Sequence, residues 1–178
     1  MSRVKEKMIE IATETAQKAG LRAITMRELG DAVGIKSSSV MYHFHSKDGL
    51  LQVIASSYTD LFFKRLDEIE VTYPHPKKRL KELVGLFEAA LHEDKMCLCG
   101  ILAAESAELD HATQNTTQEF FQRMESWITS QLKKADADPT LAPLIVSSLE
   151  GAMLLDRLDG KSKRLKAVQN WLVSLTTD

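Results

Sequence analysis

Apolar residues recur at intervals of three and four positions through nearly the whole chain, which is the period of an amphipathic helix and not of a strand. The segments that carry this pattern are separated by residues that end helices, among them Gly20, Gly34 and Gly160. No alternating strand pattern competes with it, and the sequence contains no internal repeat. The sequence therefore predicts an all-α fold of about nine helices.

The N-terminal third is predicted to contain three short helices followed by a long one. After the first helix, Thr25 and Glu28 form a T-x-x-E capping box that opens a second. Gly34 allows a sharp turn into a third helix over about residues 36–44. Ser46 then caps a much longer fourth helix. Two short helices joined by a tight glycine turn are typical of a helix-turn-helix.

The rest of the chain carries the apolar spacing of five further helices. Two prolines in the run VTYPHPKK, residues 71–78, must break the fourth helix, and Pro76 suits the first turn of the fifth. Residues 97–109 are apolar almost all round, which predicts a short buried sixth helix. An eighth helix is predicted to open at Asp138 and Pro139, after the seventh and before the ninth.

Composition excludes several classes of protein. At 178 residues, with 44% hydrophobic and 27% charged residues, the chain is long enough to form a substantial core. No apolar run reaches the roughly 18 residues of a membrane span, and the first residues carry no signal-peptide core. We therefore expect a cytoplasmic protein with no membrane partner. Two cysteines are too few for a secreted disulfide scaffold.

Charge is distributed unevenly along the chain. The net charge is −2, but residues 1–50 hold eight Lys and Arg against six Asp and Glu, which leaves +2 there and −4 on the remainder. This asymmetry permits the N-terminal third to contact the phosphates of a nucleic acid, and it discourages such contact elsewhere.

Helical geometry divides the predicted third helix into two faces. At 100° per residue, Val40, Met41 and Phe44 cluster on one side, which we expect to point inward. The opposite face is small and polar and includes two aromatic hydrogen-bonding side chains; it consists of Ser38, Ser39, Tyr42 and His43. Serines let a helix approach base edges, and Tyr and His can donate to phosphates. The alternative is that this face is an ordinary solvated surface.

Residues 9–51 resemble the signature of the TetR family of bacterial repressors. The matching features are, in chain order, Ala16 and Ala19-Gly20, Thr25, the Val33-Gly34-Ile35 turn, the Tyr42-His43-Phe44 triplet, and Ser46-Lys47-Asp48 followed by Leu50. So long a run of ordered matches is a specific signal, and it covers about the first 55 residues of the chain.

The resemblance implies a function and the residues that perform it. It implies a repressor whose third helix enters the major groove of a palindromic operator in double-stranded DNA. It divides the chain into a DNA-binding domain, residues 1–46, and an effector-binding and dimerisation domain, residues 47–178. The residues that match DNA contacts of the family are Thr25, Lys36, Ser37, Ser38, Ser39, Tyr42, His43 and Lys47. On their own chemistry, the helix N-termini at Thr25 and Lys47 also suit phosphates.

The resemblance further implies a homodimer through helices near residues 140–158 and 162–176, packed as a four-helix bundle. Small side chains in the first of these segments permit two helices to approach closely; they are Ser147, Ser148, Gly151 and Ala152. The second segment carries an apolar seam, which consists of Leu165, Val168, Leu172 and Leu175. The alternative is that both faces fill the core of a single chain.

A cavity for a small-molecule effector is another implication of the resemblance. We expect a small, mostly apolar or thiol-reactive effector, because polar residues are few in the region that would line the cavity. The candidate lining residues are Phe87, Cys97, Cys99, Leu102, Phe121, Met124, Trp127 and Met153. Ordinary core packing is the alternative for each of them.

Cys97 and Cys99 have three candidate roles. They are buried structural thiols, a redox or electrophile sensor, or ligands of a zinc site completed by His92 and His111. Buried structural thiols are the commonest of these in proteins. The C-x-C spacing with scattered histidines does not match known zinc fingers.

Two other functions are alternatives to a regulator: an interaction protein that merely holds a helix-turn-helix, and an α-helical enzyme. The sequence shows no nucleophile with a partnered base, no glycine-rich phosphate loop and no paired metal ligands at useful spacing. We therefore predict no enzymatic activity, no cofactor and no metal.

Overall fold

The structure is a computed structural model, and it describes residues 3–176. Within that range the secondary structure is entirely helical, as the periodicity predicts. The nine α-helices are α1 (Arg3–Ala19), α2 (Met26–Val33), α3 (Ser37–Phe44), α4 (Lys47–Thr72), α5 (Pro76–His92), α6 (Leu98–Ala104), α7 (His111–Lys134), α8 (Ala142–Asp159) and α9 (Lys163–Leu175). Three short 3-10 turns, Leu21–Ala23, Ser106–Glu108 and Pro139–Leu141, lie between them.

The predicted helix caps are present in the N-terminal third. The Thr25 hydroxyl accepts a hydrogen bond from the backbone N–H of Glu28 at 3.1 Å, and it donates to the Glu28 carboxylate at 2.8 Å. The hydroxyl oxygen of Ser46 accepts from the backbone N–H of Gly49 at 2.9 Å. Gly34 ends α2 in the left-handed conformation, with φ of 73°. These contacts fix where α2 and α4 begin and where α2 ends.

The chain folds into two compact units. The first consists of the residues up to Leu61 together with Leu98–Gln118. Its core is apolar and includes residues of α1 to α4, and α6 adds Leu98 and Leu102 to it. Both α6 residues are fully buried, so this short helix belongs structurally with the helix-turn-helix. The functional boundary between residues 46 and 47 stays a prediction.

The second unit consists of Phe62–Cys97 and the chain from Glu119 onward. Aromatic rings form part of its core: the ring centre of Phe62 lies 5.0 Å from that of Phe120 and 6.4 Å from that of Phe87. Helices α5, α8 and α9 pack against one another. Two of the four predicted seam residues, Leu165 and Leu172, are buried within this unit.

Helix α8 begins later than the sequence predicts. Asp138 and Pro139 form the preceding 3-10 turn, in which the Asp138 carboxylate accepts from the backbone N–H of Thr140 at 2.9 Å. The first α-helical residue is Ala142. Asp138 therefore caps the short turn that leads into the helix and does not open the helix itself.

A buried carboxylate fixes the corner between α8 and α9. Asp156 is fully buried and accepts hydrogen bonds from the backbone N–H groups of Arg164, at 2.8 Å, and Leu165, at 2.9 Å. Burial opposes its ionisation, but these bonds and the Arg164 guanidinium outweigh burial and hold the pKa of Asp156 below its ordinary value. The side chain satisfies the first backbone donors of α9.

Candidate nucleic-acid interface

A close approach between α2 and the following turn holds the helix-turn-helix together. A Cβ atom on Gly30 would lie 2.7 Å from the carbonyl oxygen of Ile35. The backbone N–H of Ile35 donates to the carbonyl of Gly30 at 2.9 Å. Only glycine allows this contact without a shift of the backbone. The sequence analysis overlooked Gly30, although a glycine inside a short helix is itself a signal of close packing.

Two buried side chains attach α3 to the first unit. Val40 is fully buried and Phe44 is 2% exposed. Met41, which we expected to point inward with them, is 40% exposed, so that expectation was wrong. Val40 and Phe44 are four residues apart and occupy the inner side of an eight-residue helix, which leaves Met41 at its edge.

The predicted outer face of α3 is open to solvent. Ser37, Ser38 and Ser39 are exposed, and Tyr42 is 80% exposed. His43 is half-buried, and its ring lies beside those of Tyr42 and Phe44, with centres 5.9 Å and 6.4 Å away. The predicted face therefore presents the hydroxyl groups of Ser38 and Ser39 on its first turn and that of Tyr42 on its second, and Ser37 adds an exposed hydroxyl outside that face.

Lys36, Thr25 and Lys47 lie at the N-termini of three helices. Lys36 is exposed at the start of α3, and its side chain does not cap the helix. Thr25 is exposed, and its hydroxyl is engaged with Glu28. Lys47 donates from its ammonium group to the carbonyl of Leu21 at 2.9 Å, so it also ties α4 to the turn after α1.

The link between α3 and α4 is tight. His45 adopts a left-handed backbone conformation, with φ of 63°, and its N–H donates to the carbonyl of Met41 at 2.7 Å. A Cβ atom on Gly49 would clash with the carbonyl oxygen of Phe44. Sequence reasoning did not identify either residue as important for placing α3. Together they fix the direction in which α4 leaves the candidate interface.

The candidate effector residues divide between the two units. Cys99 and Leu102 are buried in the first unit. The other six belong to the second unit: Phe87, Cys97, Phe121, Met124, Trp127 and Met153. Phe121 and Trp127 are half-buried and the other four are buried. The eight residues therefore do not form one cluster within a single unit, and their role as an effector site stays a prediction.

Neither cysteine forms a disulfide, and both are buried, at 2% exposure for Cys97 and 0% for Cys99. His92 and His111 are exposed on the surface. Among residues 3–176, no three His, Cys, Asp or Glu side chains are arranged to hold a metal ion.

A carboxyl group that the sequence analysis did not consider contacts Cys97. Glu150 on α8 accepts a hydrogen bond from the Cys97 thiol. Burial raises the pKa of Glu150 to about 7, and the thiol hydrogen bond opposes that rise. A polar side chain on a mostly apolar helix is ordinarily assigned to the solvent face, and the periodic pattern gives no sign of its burial.

Helix α8 exposes a row of leucines within the described chain. Leu144, Leu154, Leu155 and Leu158 are between 46% and 82% exposed. The predicted small residues lie on the same helix: Ser147 is exposed, Ser148 and Gly151 are half-buried, and Ala152 is buried. The row therefore runs along α8 at helical spacing, with small residues at its centre. No helix among residues 3–176 is long and apolar enough to cross a membrane.

Known proteins share both parts of this architecture. Residues 8–54 match the family described as "Bacterial regulatory proteins, tetR family". Residues 76–170, more than half of the chain, match "Transcriptional regulator LmrA/YxaF-like, C-terminal domain". The helix-turn-helix with its exposed α3 and the helical second unit thus define a DNA-binding transcriptional regulator, not an enzyme. The chain belongs to the TetR family of bacterial regulators.

Individual relatives agree with this assignment. The HTH-type transcriptional repressor KstR2 of Mycobacterium tuberculosis is 34% identical over 86 residues, which is 48% of this chain and 43% of the repressor. The match thus spans less than half of that relative. A TetR transcriptional regulator from Legionella pneumophila has 28% identity, a TM-score of 0.92 and 99% coverage of both chains. A TetR-family regulator from Agrobacterium tumefaciens, at 20% identity and TM-score 0.91 with 98% of both chains covered, shares the fold.

Proposed function

We propose that the protein is a repressor that binds a palindromic operator as a homodimer and is released by a small molecule. The observation that carries the proposal is the exposed face of α3, on which Tyr42 is 80% accessible. The 34% identity to a mycobacterial repressor over 86 residues supports repression as the sense of regulation. Operator DNA lies in the bacterial cytoplasm, which is where the proposal places the protein.

In this proposal, different exposed residues of α3 contact the bases and the phosphates of the DNA. Ser37, Ser38 and Ser39 are small enough for the first turn of α3 to lie against base edges in the major groove. Tyr42 and Lys36 reach the phosphates on either side. His43 is half-buried, so it supports the Tyr42 ring and has a smaller share of direct contact.

Thr25 and Lys47 act mainly through the helices that they begin. Their side chains are engaged with Glu28 and Leu21, so the backbone N–H groups of α2 and α4 supply the phosphate contact. The Lys47 ammonium keeps its charge near the phosphate while it donates to the Leu21 carbonyl. Loss of Lys47 therefore weakens both the fold and the binding of DNA.

A homodimer through α8 and α9 follows from the surface of α8. The exposed row from Leu144 to Leu158 is suited to pack against the same row of a second copy. In α9, Leu165 and Leu172 are buried in the core of the second unit. Helix α8 therefore supplies more of the apolar surface of the proposed dimer interface than the sequence suggests. A two-fold dimer matches a palindromic site, because each copy presents one α3 to one half-site.

A small effector completes the proposed function. Helix α4 begins in the first unit and ends in the second, so a ligand in the second unit can act on α4 and change the spacing of the two α3 helices in a dimer. Such a ligand must prefer the state that cannot bind DNA by roughly 1–3 kcal/mol to regulate effectively. Direct sensing by Cys97 or Cys99 is the weaker alternative, because a sensor thiol needs access and both are buried.

Selection of binding sites from random-sequence DNA tests the proposed function. We expect the purified protein to select an inverted repeat and to bind it less tightly as salt rises. Tyr42→Ala should weaken binding by about tenfold or more, because it removes an exposed contact without disturbing the core. Val71→Ala is the control, since Val71 is 89% exposed on α4 and outside the candidate interface. Weak binding that ignores sequence would contradict the proposal.

A further inference from the structure

The second unit contains an open groove that is rich in lysine. Its volume is about 660 Å³, and it lies between the start of α5, the end of α7 with the turn that follows, and the end of α9. Four of the lining residues are lysines: Lys77, Lys78, Lys81 and Lys134. Asp136 is the acidic residue of the lining. Residues 51–178 carry a net charge of −4, so the groove is a basic site within an acidic part of the chain.

Hydrogen bonds fix the sides of this lysine groove relative to one another. The Arg79 guanidinium on α5 donates to the side chain of Gln131 on α7 at 3.2 Å, and to the backbone carbonyl of Glu70 on α4 at 3.0 Å. Gln131 is fully buried and donates to the Glu70 carboxylate at 2.6 Å. Lys134 follows Gln131 by one helical turn, and Lys78 directly precedes Arg79. The lysines of α5 and α7 therefore lie on helices whose relative position is fixed.

The charge at the start of α5 is unfavourable for the helix itself. Its first turn consists of Pro76, two lysines and Arg79, and the side chain of His75 does not cap it. The N-terminus is the positive end of a helix dipole, so cations there are repelled. Lys77 and Lys81 are also four residues apart on one face, a spacing at which like charges repel. Helix stability does not explain these lysines, whereas an anion bound in the groove would offset the repulsion.

The carboxylates near the groove leave its ammonium groups able to bind an anion. Lys78 lies 2.7 Å from Glu82, one turn further along α5, and a surface ion pair of this kind contributes little to stability. Lys134 lies 3.9 Å from Glu70, which is longer than a hydrogen bond. Each ammonium group has three donors, so one carboxylate does not use them all. The groove therefore keeps donors for further anionic oxygens.

We propose that the lysine groove binds a small organic molecule that carries several phosphate groups. Lysine binds phosphate as a point charge, and four lysines on two helices suit a ligand with more than one such group. A volume of about 660 Å³ is typical of a small-molecule site. Pro76, Ala135 and Val173 line the groove and suit the organic part of the ligand. The inference goes beyond the proposed function, because the candidate effector and DNA-contacting residues all lie outside this groove.

Titration with ATP and adenosine tests the proposal. The two probes share a nucleoside and differ in the triphosphate, and calorimetry with a chelator present measures the binding of each to the purified protein. We expect ATP to bind at least about tenfold more tightly than adenosine, and its affinity to fall as salt rises. Equal affinity for the two probes, or no binding of ATP at millimolar concentration, would overturn the proposal.

Citrate distinguishes phosphate from carboxylate as the recognised group. It carries three carboxylates and no phosphate, and we expect it to bind about tenfold or more weakly than ATP under the same conditions. Citrate that binds as tightly as ATP would reject a phosphorylated ligand.

Substitutions place the binding of ATP in the groove. Lys81→Gln combined with Lys134→Gln removes one lysine from each helix and should weaken ATP about tenfold or more. Lys133→Gln combined with Lys166→Gln is the matched control, because both of these lysines are exposed in the same unit but outside the groove, and the change in net charge is the same. The control should bind ATP as the wild type does. Equal losses in the two double variants would mean that ATP responds to overall charge, which would contradict the site.

Thermal unfolding separates a binding role of Lys81 from a structural one. Lys81→Gln removes the repulsion from Lys77, so without ligand it should unfold at the wild-type temperature or slightly above it. ATP should then raise the unfolding temperature of the variant less than that of the wild type. A variant that unfolds at a lower temperature without ligand, and that ATP stabilises as much as the wild type, would show that Lys81 serves the fold and not the ligand.

Discussion

The fold changes the protonation of Glu150. Burial raises its pKa from 4.5 to about 7, although the Cys97 thiol favours the charged form. The folded state therefore binds the proton more tightly than the unfolded state does. The contribution of the Glu150 proton to folding stability is complete below pH 4.5 and is lost as pH rises through about 7.

This linkage predicts how the free energy of unfolding depends on pH. Between pH 5 and pH 8 the wild type should lose roughly 2–3 kcal/mol relative to Glu150→Gln, which cannot ionise. Urea unfolding of both proteins at the two pH values measures the difference, and the shared contribution of histidines cancels in the comparison. Parallel pH dependence in the two proteins would show that Glu150 is not buried as described.

At the scale of single helices, the turn between α2 and α3 determines how the candidate interface is presented. Gly30→Ala places a methyl group 2.7 Å from the Ile35 carbonyl oxygen, so we expect a loss of roughly 1–3 kcal/mol of stability and weaker operator binding. Gly85→Ala on α5 is the matched control, because outside the adjacent backbone of its own helix no described atom lies within 4 Å of the added Cβ. That variant should be more stable by about 0.5–1 kcal/mol, since alanine favours helix.

Thermal or urea unfolding measures both glycine variants, and operator affinity is measured on the same samples. A Gly30→Ala protein as stable as the wild type would mean that the α2 turn tolerates a side chain. A destabilised Gly85→Ala protein would mean that helix propensity does not govern that site.

Much of the helical structure could be predicted from sequence, because caps and apolar spacing are local signals. Thr25, Gly34 and Ser46 mark the ends of α2 and the start of α4 in both sequence and structure. The exposure of Met41 could not be predicted. Only Val40 and Phe44 are buried in this eight-residue helix, and helical spacing alone does not show on which side of their border Met41 lies. The start of α8 was placed early because Asp138 caps a short turn first.

The candidate effector site was less predictable than α3. Apolar residues look alike in sequence whichever core they join, so Leu102 could not be assigned to the unit of the helix-turn-helix. Glu88 and Glu150 each have a carboxyl oxygen that is closed to solvent, but a glutamate in a helix ordinarily predicts a solvated face. Burial of individual atoms depends on how helices pack against one another, and the spacing of apolar residues along a helix does not show that.

At the scale of the whole molecule, the exposed leucines of α8 predict how two copies associate. Leu158 is 82% exposed, so Leu158→Glu should leave the single chain folded and weaken the dimer by about tenfold or more. Sedimentation at several protein concentrations measures the dissociation constant. Val71→Glu, at an 89% exposed position on α4, is the control and should leave the dimer intact. Equal dissociation constants in the two variants would exclude α8 from the interface.

Symmetry links the dimer to its DNA and gives the most direct test of the central claim. The measurement is the affinity of the purified protein for its selected operator, compared with the same DNA in which one half-site is scrambled and its length and composition are kept. A dimer that uses two α3 helices should bind the scrambled DNA at least about 100-fold more weakly at moderate salt. Equal affinity for the two DNAs would contradict recognition of a palindrome by a two-fold repressor.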